Sequence, residues 1–244
     1  HIILLVSDDV GFADLGVQGS NEFPSPAIAS IAANGVRFTQ GYVAGPKCSP
    51  SRAGFLTGRY PQRFGHEINV EGQTGLPLTQ TLIPANLKSH GLNYRSYLVG
   101  KWHLGSQSQF LPNARGFDEF FGFRGGSRSF FQIANPNNGS RLWRNTTQVS
   151  EPEIDEYLTD VWGDQAVAYI DDHMSNNSDQ PFFMYCAFNA IHEPLEVSST
   201  YYDDARVSGI ADSDRRTIAA MTLALDAQIE KVLNRLDPHG ITDN

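Results

Sequence analysis

Apolar positions along the chain follow two periodicities, one typical of buried strands and one typical of amphipathic helices. A continuous apolar run at residues 2–6 predicts a strand covered on both faces, and the run at 182–188 predicts another. Residues 36–43 and 93–99 give two more strand predictions. Helical spacing predicts helices at 26–34, 49–57, 81–90, 159–174 and 214–236. Alternating strands and helices predict an α/β fold, a three-layer sandwich with a mostly parallel central sheet.

Residues 105–155 lack both periodicities and are rich in glycine, asparagine, serine and aromatic residues. We expect long irregular structure there, and loops of this length in a compact domain usually carry function. One part combines aromatic and arginine side chains: Arg115, Phe117, Phe120, Phe121, Arg124, Arg128, Phe130 and Phe131. These could wall a carbohydrate cleft by stacking and bidentate hydrogen bonding, or they could pack the irregular segment. The sequence leaves both interpretations open.

The composition narrows the possible classes of protein. At 244 residues, with 40% hydrophobic and 18% charged residues, the chain suits one sizeable core. A net charge of −9 argues against nucleic acid as the main partner, since phosphate binding relies on Lys and Arg. No apolar run approaches the roughly 20 residues of a membrane span. Because the chain opens directly on a strand, without Met or a basic region, we expect a mature or trimmed protein whose export signal, if it had one, is already gone.

Polar side chains follow three of the predicted strands at the point where each strand ends. In chain order they are Asp8 and Asp9, Lys101 and His103, and His192. Ligands of a parallel sheet bind beyond the carboxyl ends of its strands. The sequence therefore predicts one active site at this edge, where the two adjacent carboxylates would bind a hard divalent cation with oxygen ligands.

The two cysteines are too few for a disulfide framework, and neither has zinc-site spacing. Cys186 lies inside the apolar run at 182–188 and is expected in the core. Cys48 begins the sequence Cys-Ser-Pro-Ser-Arg, in which Pro50 lacks an amide hydrogen and fits only the first turn of a helix. Cys48 then lies at the amino end of that helix, where unpaired amides favour negative charge. Arg52 follows one turn later on the same face.

This Cys-x-Pro-x-Arg spacing resembles the signature of the formylglycine-dependent (type I) sulfatases of the alkaline phosphatase superfamily. Residues 100–105, Gly-Lys-Trp-His-Leu-Gly, look like the second signature of that family, and residues 7–11 are similar to its opening motif. His192 stands two residues before Pro194, as in the arylsulfatase B and polysaccharide-sulfatase branches. The motifs occur in the family's order across the whole chain, so the resemblance implies an alkaline phosphatase-like fold.

The resemblance also implies a nucleophile and a metal site. A formylglycine-generating maturation enzyme would oxidise Cys48, and the hydrated aldehyde would attack the sulfate ester. Asp8, Asp9 and the modified Cys48 would bind Ca²⁺, with Mg²⁺ as the other possibility. The family completes this site with a later Asp and an Asn or His after another strand, and adds a second sulfate-binding lysine. Asp243 and Asn244 follow no apolar strand, so we expect residues 1–244 to be an amino-terminal catalytic domain that is incomplete at its carboxyl end.

The remaining roles follow from the same resemblance. Lys101 and His192 would bind the sulfate, while Arg52 and His103 would orient the hydrate. His103 would take a proton when the sulfated hydrate collapses, and His192 or the absent lysine would protonate the leaving group. The substrate would be a sulfated carbohydrate, and the protein would be periplasmic or secreted, or lysosomal in a eukaryote.

Other interpretations stay open at this stage. A phosphate or phosphonate ester hydrolase of the same superfamily can use the same nucleophile, and a catalytically silent binding protein could keep the fold. Asp8 and Asp9 could form a solvated acidic turn, and His192 could be an ordinary core residue. Residues downstream of the nucleophile helix could also line the pocket, namely Tyr60, Arg63, His66 and Glu67.

Overall fold

A computed structural model describes residues 1–22, 24–133, 136–137, 139–150 and 156–242. Asp243 and Asn244, which the sequence places before a missing strand, lie outside these residues. Across the described residues, no helix is both long enough and apolar enough to cross a membrane.

A mostly parallel sheet forms the centre of the described structure. Its strands are β1 (Ile2–Val6), β2 (Arg95–Lys101), β3 (Glu119–Phe123), β4 (Leu142–Arg144), β5 (Thr147–Gln148) and β6 (Phe182–Ala187). They lie in the order β1-β6-β2-β3-β4-β5. The first four strands of that order pair in parallel, and β4 and β5 add antiparallel pairs. The predicted sheet type is therefore confirmed.

Helices cover both faces of this sheet. They are α1 (Pro26–Asn34), α2 (Cys48–Thr57), α3 (Ile83–Ser89), α4 (Leu158–Asn176), α5 (Ser199–Tyr202) and α6 (Ser213–Leu236). Short 3-10 turns lie at Gly16–Gln18, Pro61–Phe64, Ser108–Phe110, Asn113–Arg115 and Asp237–His239. The five helices predicted from apolar spacing all occur, with ends within two residues of the predicted ones.

Alternate residues of the central strands enter two separate cores, which shows the three layers. Met184 and Cys186 of β6 pack with residues of α4 and α6, so Cys186 is a core residue as predicted. The neighbouring Phe183 and Tyr185 pack on the opposite face with Ala53 of α2. Strands buried on both faces read as continuous apolar runs, and this explains why β6 was recognisable in the sequence.

Two predictions about local structure were wrong. Residues 36–43 form no strand, and Val36, Phe38, Tyr42 and Val43 expose 70% or more of their area. Extended chain is stable only when its backbone groups are paired, and no described strand lies beside this segment. The segment 105–155, expected to be irregular, contains β3, β4 and β5.

The strand β3 was missed because a glycine interrupts its apolar run, Phe-Phe-Gly-Phe. A Cβ atom on Gly122 would lie 1.9 Å from the carbonyl oxygen of Gly100 in the adjacent strand β2. The two strands therefore approach closely at a position where only glycine fits. This close approach brings the carboxyl ends of β2 and β3 side by side.

Candidate active site

Asp8 lies just beyond the carboxyl end of β1 and is only 6% exposed. Lys101, the last residue of β2, has a fully buried side chain whose ammonium donates a hydrogen bond to the Asp8 carboxylate. The guanidinium of Arg52 lies 3.5 Å from the other carboxylate oxygen. Burial alone raises the pKa of Asp8, but Arg52 and Lys101 outweigh it and hold that pKa below its ordinary value. Asp8 is therefore a buried carboxylate between two cations.

Arg52 joins the nucleophile helix to the sheet. It is 2% exposed. Its Nη1 donates to the carbonyl oxygen of Lys101 at 2.8 Å and to the Tyr185 hydroxyl at 3.0 Å. These bonds fix the first turn of α2 against β2 and β6.

Cys48 is the first residue of α2, as the position of Pro50 predicted, and it is partly buried. It lines a cavity of about 540 Å³ together with Asp8, Asp9 and Arg52. The next residue, Ser49, is buried, and its amide donates to Asn69 Oδ1 at 3.1 Å. A hydrogen bond with His192 lowers the pKa of the Cys48 thiol, outweighing burial, and Lys101 lowers it further.

His192 faces Cys48 from the loop that follows β6. Its Nδ1 lies 2.6 Å from the carbonyl oxygen of Glu193, so Nδ1 carries the proton and donates it. Its Nε2 lies 3.7 Å from an Asp9 carboxylate oxygen. The backbone of Asp8 exchanges two 2.8 Å hydrogen bonds with Ala190 and Ile191, which brings this loop beside β1. The hydrogen bond with Cys48 raises the pKa of His192.

Part of a cation site is assembled here. Ligand atoms of Asp8, Cys48 and His192 lie within 4.8 Å of one another, while the side chain of Asp9 is 61% exposed at the rim. The carboxylates of Asp8 and Asp9 suit Ca²⁺ or Mg²⁺, whereas a thiol and an imidazole suit softer metals. Cys48 would fit a hard cation only after its sulfur is replaced by oxygen. The described residues thus supply a fraction of the six to eight oxygens that Ca²⁺ typically binds.

His103 lines a second cavity of about 330 Å³, and Lys101, Arg52, Asp8 and His192 lie near enough to influence its pKa. The sequence predicted that Lys101 and His103 project from one side of an extended segment. This is wrong, because His103 has a left-handed backbone conformation (φ 56°) and Lys101 turns toward Asp8. Burial, with a contribution from Lys101 and Arg52, lowers the pKa of His103 to about 3, which keeps the imidazole neutral. Its Nδ1 is buried and has no hydrogen-bond partner among the described residues.

The four residues downstream of α2 that the sequence analysis named do not line the cavity beside Cys48. His66 instead packs behind it, with Nε2 2.8 Å from the hydroxyl of Ser49. Tyr60, Arg63 and Glu67 are exposed. Sequence reasoning missed Tyr185 and Asn69: one lies within an apolar strand and the other in a loop, and neither carries a motif signal.

The aromatic and arginine-rich segment mostly packs the protein. Phe117, Phe120, Phe121 and Phe130 are buried in the two cores, which favours the packing interpretation for these rings. Arg115 and Arg128 donate to backbone carbonyl oxygens of neighbouring loops. Arg124 differs from them, because it lines the cavity of His103.

Comparisons with known proteins agree with this arrangement. The Sulfatase family model matches residues 1–244. Arylsulfatase J of Mus musculus is 33% identical over 252 residues, covering all of this chain and 41% of that protein. N-acetylgalactosamine-6-sulfatase of Homo sapiens is 33% identical over 262 residues, covering all of this chain and 48% of that protein. The chain thus spans about half the length of the curated relatives it matches.

Solved structures share the fold. The crystal structure of Ps i-CgsB superposes with a TM-score of 0.91 at 34% identity, covering all of this chain and 56% of that one. A second crystal structure of Ps i-CgsB, in complex with k-i-k-neocarrahexaose, gives the same values. The Sulfatase family model matches this chain over residues 1–244, and the chain has the mostly parallel sheet and the Cys-x-Pro-x-Arg helix described above. The chain therefore belongs to the sulfatase family.

Proposed function

We propose that this chain is the amino-terminal catalytic part, residues 1–244, of an enzyme that hydrolyses sulfate esters of a carbohydrate. The observation that carries the proposal is the position of Cys48, which heads α2 beside Asp8, Arg52 and His192. Membership of the sulfatase family supports the reaction class. The names of relatives support the substrate class, since one acts on N-acetylgalactosamine 6-sulfate and another was crystallised with a neocarrahexaose.

In this proposal Cys48 is the precursor of formylglycine, made by a maturation enzyme. Asp8, Asp9 and the oxygen that replaces the Cys48 sulfur would hold Ca²⁺ or Mg²⁺, which when bound polarises a sulfate oxygen. In the first turn of α2 the amides of Ser49 and Ser51 already donate to Asn69 and Lys47, so side chains would bind most of the anionic sulfate. A hydroxyl of the hydrated aldehyde would lose its proton to solvent and attack sulfur. The bond from sulfur to the sugar oxygen would break, and His192 would supply the proton that this oxygen needs.

The second half of the reaction regenerates the aldehyde. His103, which is neutral, accepts the proton of the remaining hydroxyl as the carbon–oxygen bond to sulfate breaks and sulfate leaves. Water then restores the hydrate, which Arg52 holds from one turn along α2. The Lys101 ammonium, which binds Asp8, also lies within hydrogen-bonding reach of the Cys48 side chain, and its three donors would let it bind a sulfate oxygen there as well.

The test uses the whole protein, co-expressed with a formylglycine-generating enzyme. We expect the peptide that contains Cys48 to be lighter by the exchange of sulfur for oxygen and by two hydrogens, and 4-nitrophenyl sulfate to be hydrolysed faster than 4-nitrophenyl phosphate. An unmodified thiol without turnover would favour a silent binding protein. Faster phosphate hydrolysis would favour a phosphate or phosphonate ester hydrolase. The periplasmic or secreted location stays a prediction of the resemblance.

The role of His103 gives a separate prediction at Gly126. A Cβ atom there would lie 2.5 Å from Cε1 of the His103 ring, so Gly126→Ala must displace the imidazole. Because a shift of about 1 Å in a catalytic group can slow a reaction about 10²-fold, we expect kcat for 4-nitrophenyl sulfate to fall by roughly that factor. Gly209→Ala is the matched control, since nothing lies within 4 Å of its Cβ position. Equal kcat values for the two variants would contradict the role of His103.

A further inference from the structure

Arg124 is a buried cation that forms no ion pair with any residue the structure describes. Its side chain lies at the end of β3, only 7% exposed, with the guanidinium carbon 3.4 Å from the centre of the Trp143 ring. Its Nε has no hydrogen-bond partner among the residues that the structure describes, and none of their carboxylates forms an ion pair with it. Burial lowers the pKa of Arg124 to about 10, which leaves the group charged near neutral pH. Buried charges are normally paired, so we expect an anionic group to bind beside the Arg124 guanidinium.

The cavity beside Arg124 has the size and the walls of a sugar subsite. Its volume is about 330 Å³, and Arg124, His103, Glu71 and Thr74 contribute side chains to it. Much of the remaining wall is glycine backbone, from Gly72, Gly105, Gly125, Gly126 and Gly139. Walls without side chains let a flat ring approach the backbone closely. The exposed carboxylate of Glu71 can accept a hydrogen bond from a sugar hydroxyl.

This cavity lies next to the Cys48 site. Neighbouring residues at the ends of the strands, and in one loop, contribute to the two sites. The His103 amide donates to the Arg124 carbonyl oxygen at 3.3 Å, so the two residues are neighbours across the ends of β2 and β3. Lys101, two residues before His103, binds Asp8. On the other side, Asn69 lines the Cys48 cavity while Val70 lines the second one. A sugar whose sulfate reaches Cys48 can therefore extend toward Arg124.

We infer that Arg124 binds a second anionic group of the substrate, a carboxylate or a further sulfate ester on the sugar whose sulfate is cleaved at Cys48. The inference rests on the proposed function for the identity of the ligand. A guanidinium binds both kinds of group through two parallel hydrogen bonds. Trp143 holds the guanidinium plane, which lowers the entropy lost on binding. The enzyme would then select doubly charged sugars over sugars that carry one sulfate.

The test follows the Trp143 indole signal by ¹H–¹⁵N NMR in the whole protein carrying Cys48→Ala, with Trp143→Phe assigning the signal. The probes are galactose, glucuronate and galactose 6-sulfate, which present no charge, a carboxylate and a sulfate ester. We expect one or both charged probes to shift the signal and galactose to leave it in place. Arg124→Gln should weaken the binding behind that shift about tenfold or more. Arg144→Gln is the matched control, because Arg144 also stacks on a ring, Phe121, but is exposed and lines another cavity.

The shifts of the Trp143 signal with the three probes distinguish the possible ligands of Arg124. A shift with glucuronate alone assigns a carboxylate, and a shift with galactose 6-sulfate alone assigns a sulfate ester. Unchanged binding in Arg124→Gln, or equal shifts with all three sugars, would overturn the inference. No shift with any probe would do the same, and would mean that Arg124 only packs on Trp143 or pairs with the remainder of the protein. Binding of the sugar probes does not require turnover. Absence of sulfatase activity would therefore contradict the proposed function but leave the conclusion about Arg124 unchanged.

Discussion

Replacing Cys48 with alanine is expected to lower kcat for 4-nitrophenyl sulfate by at least about 10⁴-fold, as removal of a covalent nucleophile does in other hydrolases. The Cys48 side chain contacts His192 and Lys101, but it makes none of the hydrogen bonds that fix α2 to the backbone of β2 and to Tyr185 of β6. Those bonds come from Arg52, which donates to Lys101 and Tyr185. Cys48→Ala should therefore leave the free energy of unfolding unchanged within about 0.5 kcal/mol. The measurements are turnover under single-turnover conditions and chemical denaturation of the same preparation.

Cys186→Ala is the control for this variant. Cys186 is buried in β6, and burial raises the pKa of its thiol to about 12, which makes it unreactive. We expect Cys186→Ala to keep its activity while losing about 1 kcal/mol of stability, since a small core side chain is truncated. If Cys48→Ala kept more than a few per cent of the wild-type rate, the assignment of the nucleophile would be wrong.

Asp8→Asn is expected to remove both activity and stability. Lys101 and Arg52 are buried against the Asp8 carboxylate, so the amide leaves two cations without their counter-charge. Breaking a buried ion pair on one side typically costs about 3 kcal/mol. Activity should fall to background as well, because the proposed cation site loses a charged oxygen ligand. Unfolding is measured in urea with EDTA present, which removes any contribution of a bound metal.

Asp9→Asn separates the two effects. Asp9 has a side chain that is 61% exposed and a left-handed backbone (φ 61°), a conformation that asparagine adopts readily. We expect a stability change within about 0.5 kcal/mol and a loss of activity comparable to that of Asp8→Asn. Full activity in Asp9→Asn would remove Asp9 from the metal site. Equal destabilisation of the two variants would mean that the ion pairs of Asp8 contribute little.

The sequence predicted the layered architecture well because the strands that form its centre are buried on both faces. Such strands read as unbroken apolar runs at 2–6 and 182–188, and short polar stretches separate them from helices. It failed at 36–43, where the alternation is that of a strand but no described neighbour pairs with it. Hydrophobic periodicity indicates which side chains favour burial. Whether the backbone of a strand finds hydrogen-bond partners depends on distant parts of the chain.

The candidate site shows a similar division. The sheet-edge argument anticipated that groups after β1, β2 and β6 would meet, and the structure places Asp8, Lys101 and His192 there. It gave no means of telling that Lys101 turns onto Asp8 while His103 turns into a separate cavity. That choice depends on the backbone angles of His103 and on the space left by Gly126, which are tertiary properties. The roles of these side chains stay predictions until the variants are measured.

The burial of the residues around Cys48 limits when an enzyme could modify this side chain. Ser49, Pro50 and Arg52 are buried in the folded domain, so the maturation enzyme of the proposed function could not contact their side chains there. If Cys48 is oxidised as proposed, the oxidation would have to precede folding of the domain. Under the proposed function, folding and modification would compete in time, and a molecule that folded first would keep its thiol. The fraction of active enzyme in a preparation would then depend on the rates of folding and modification, and slower folding would raise this fraction.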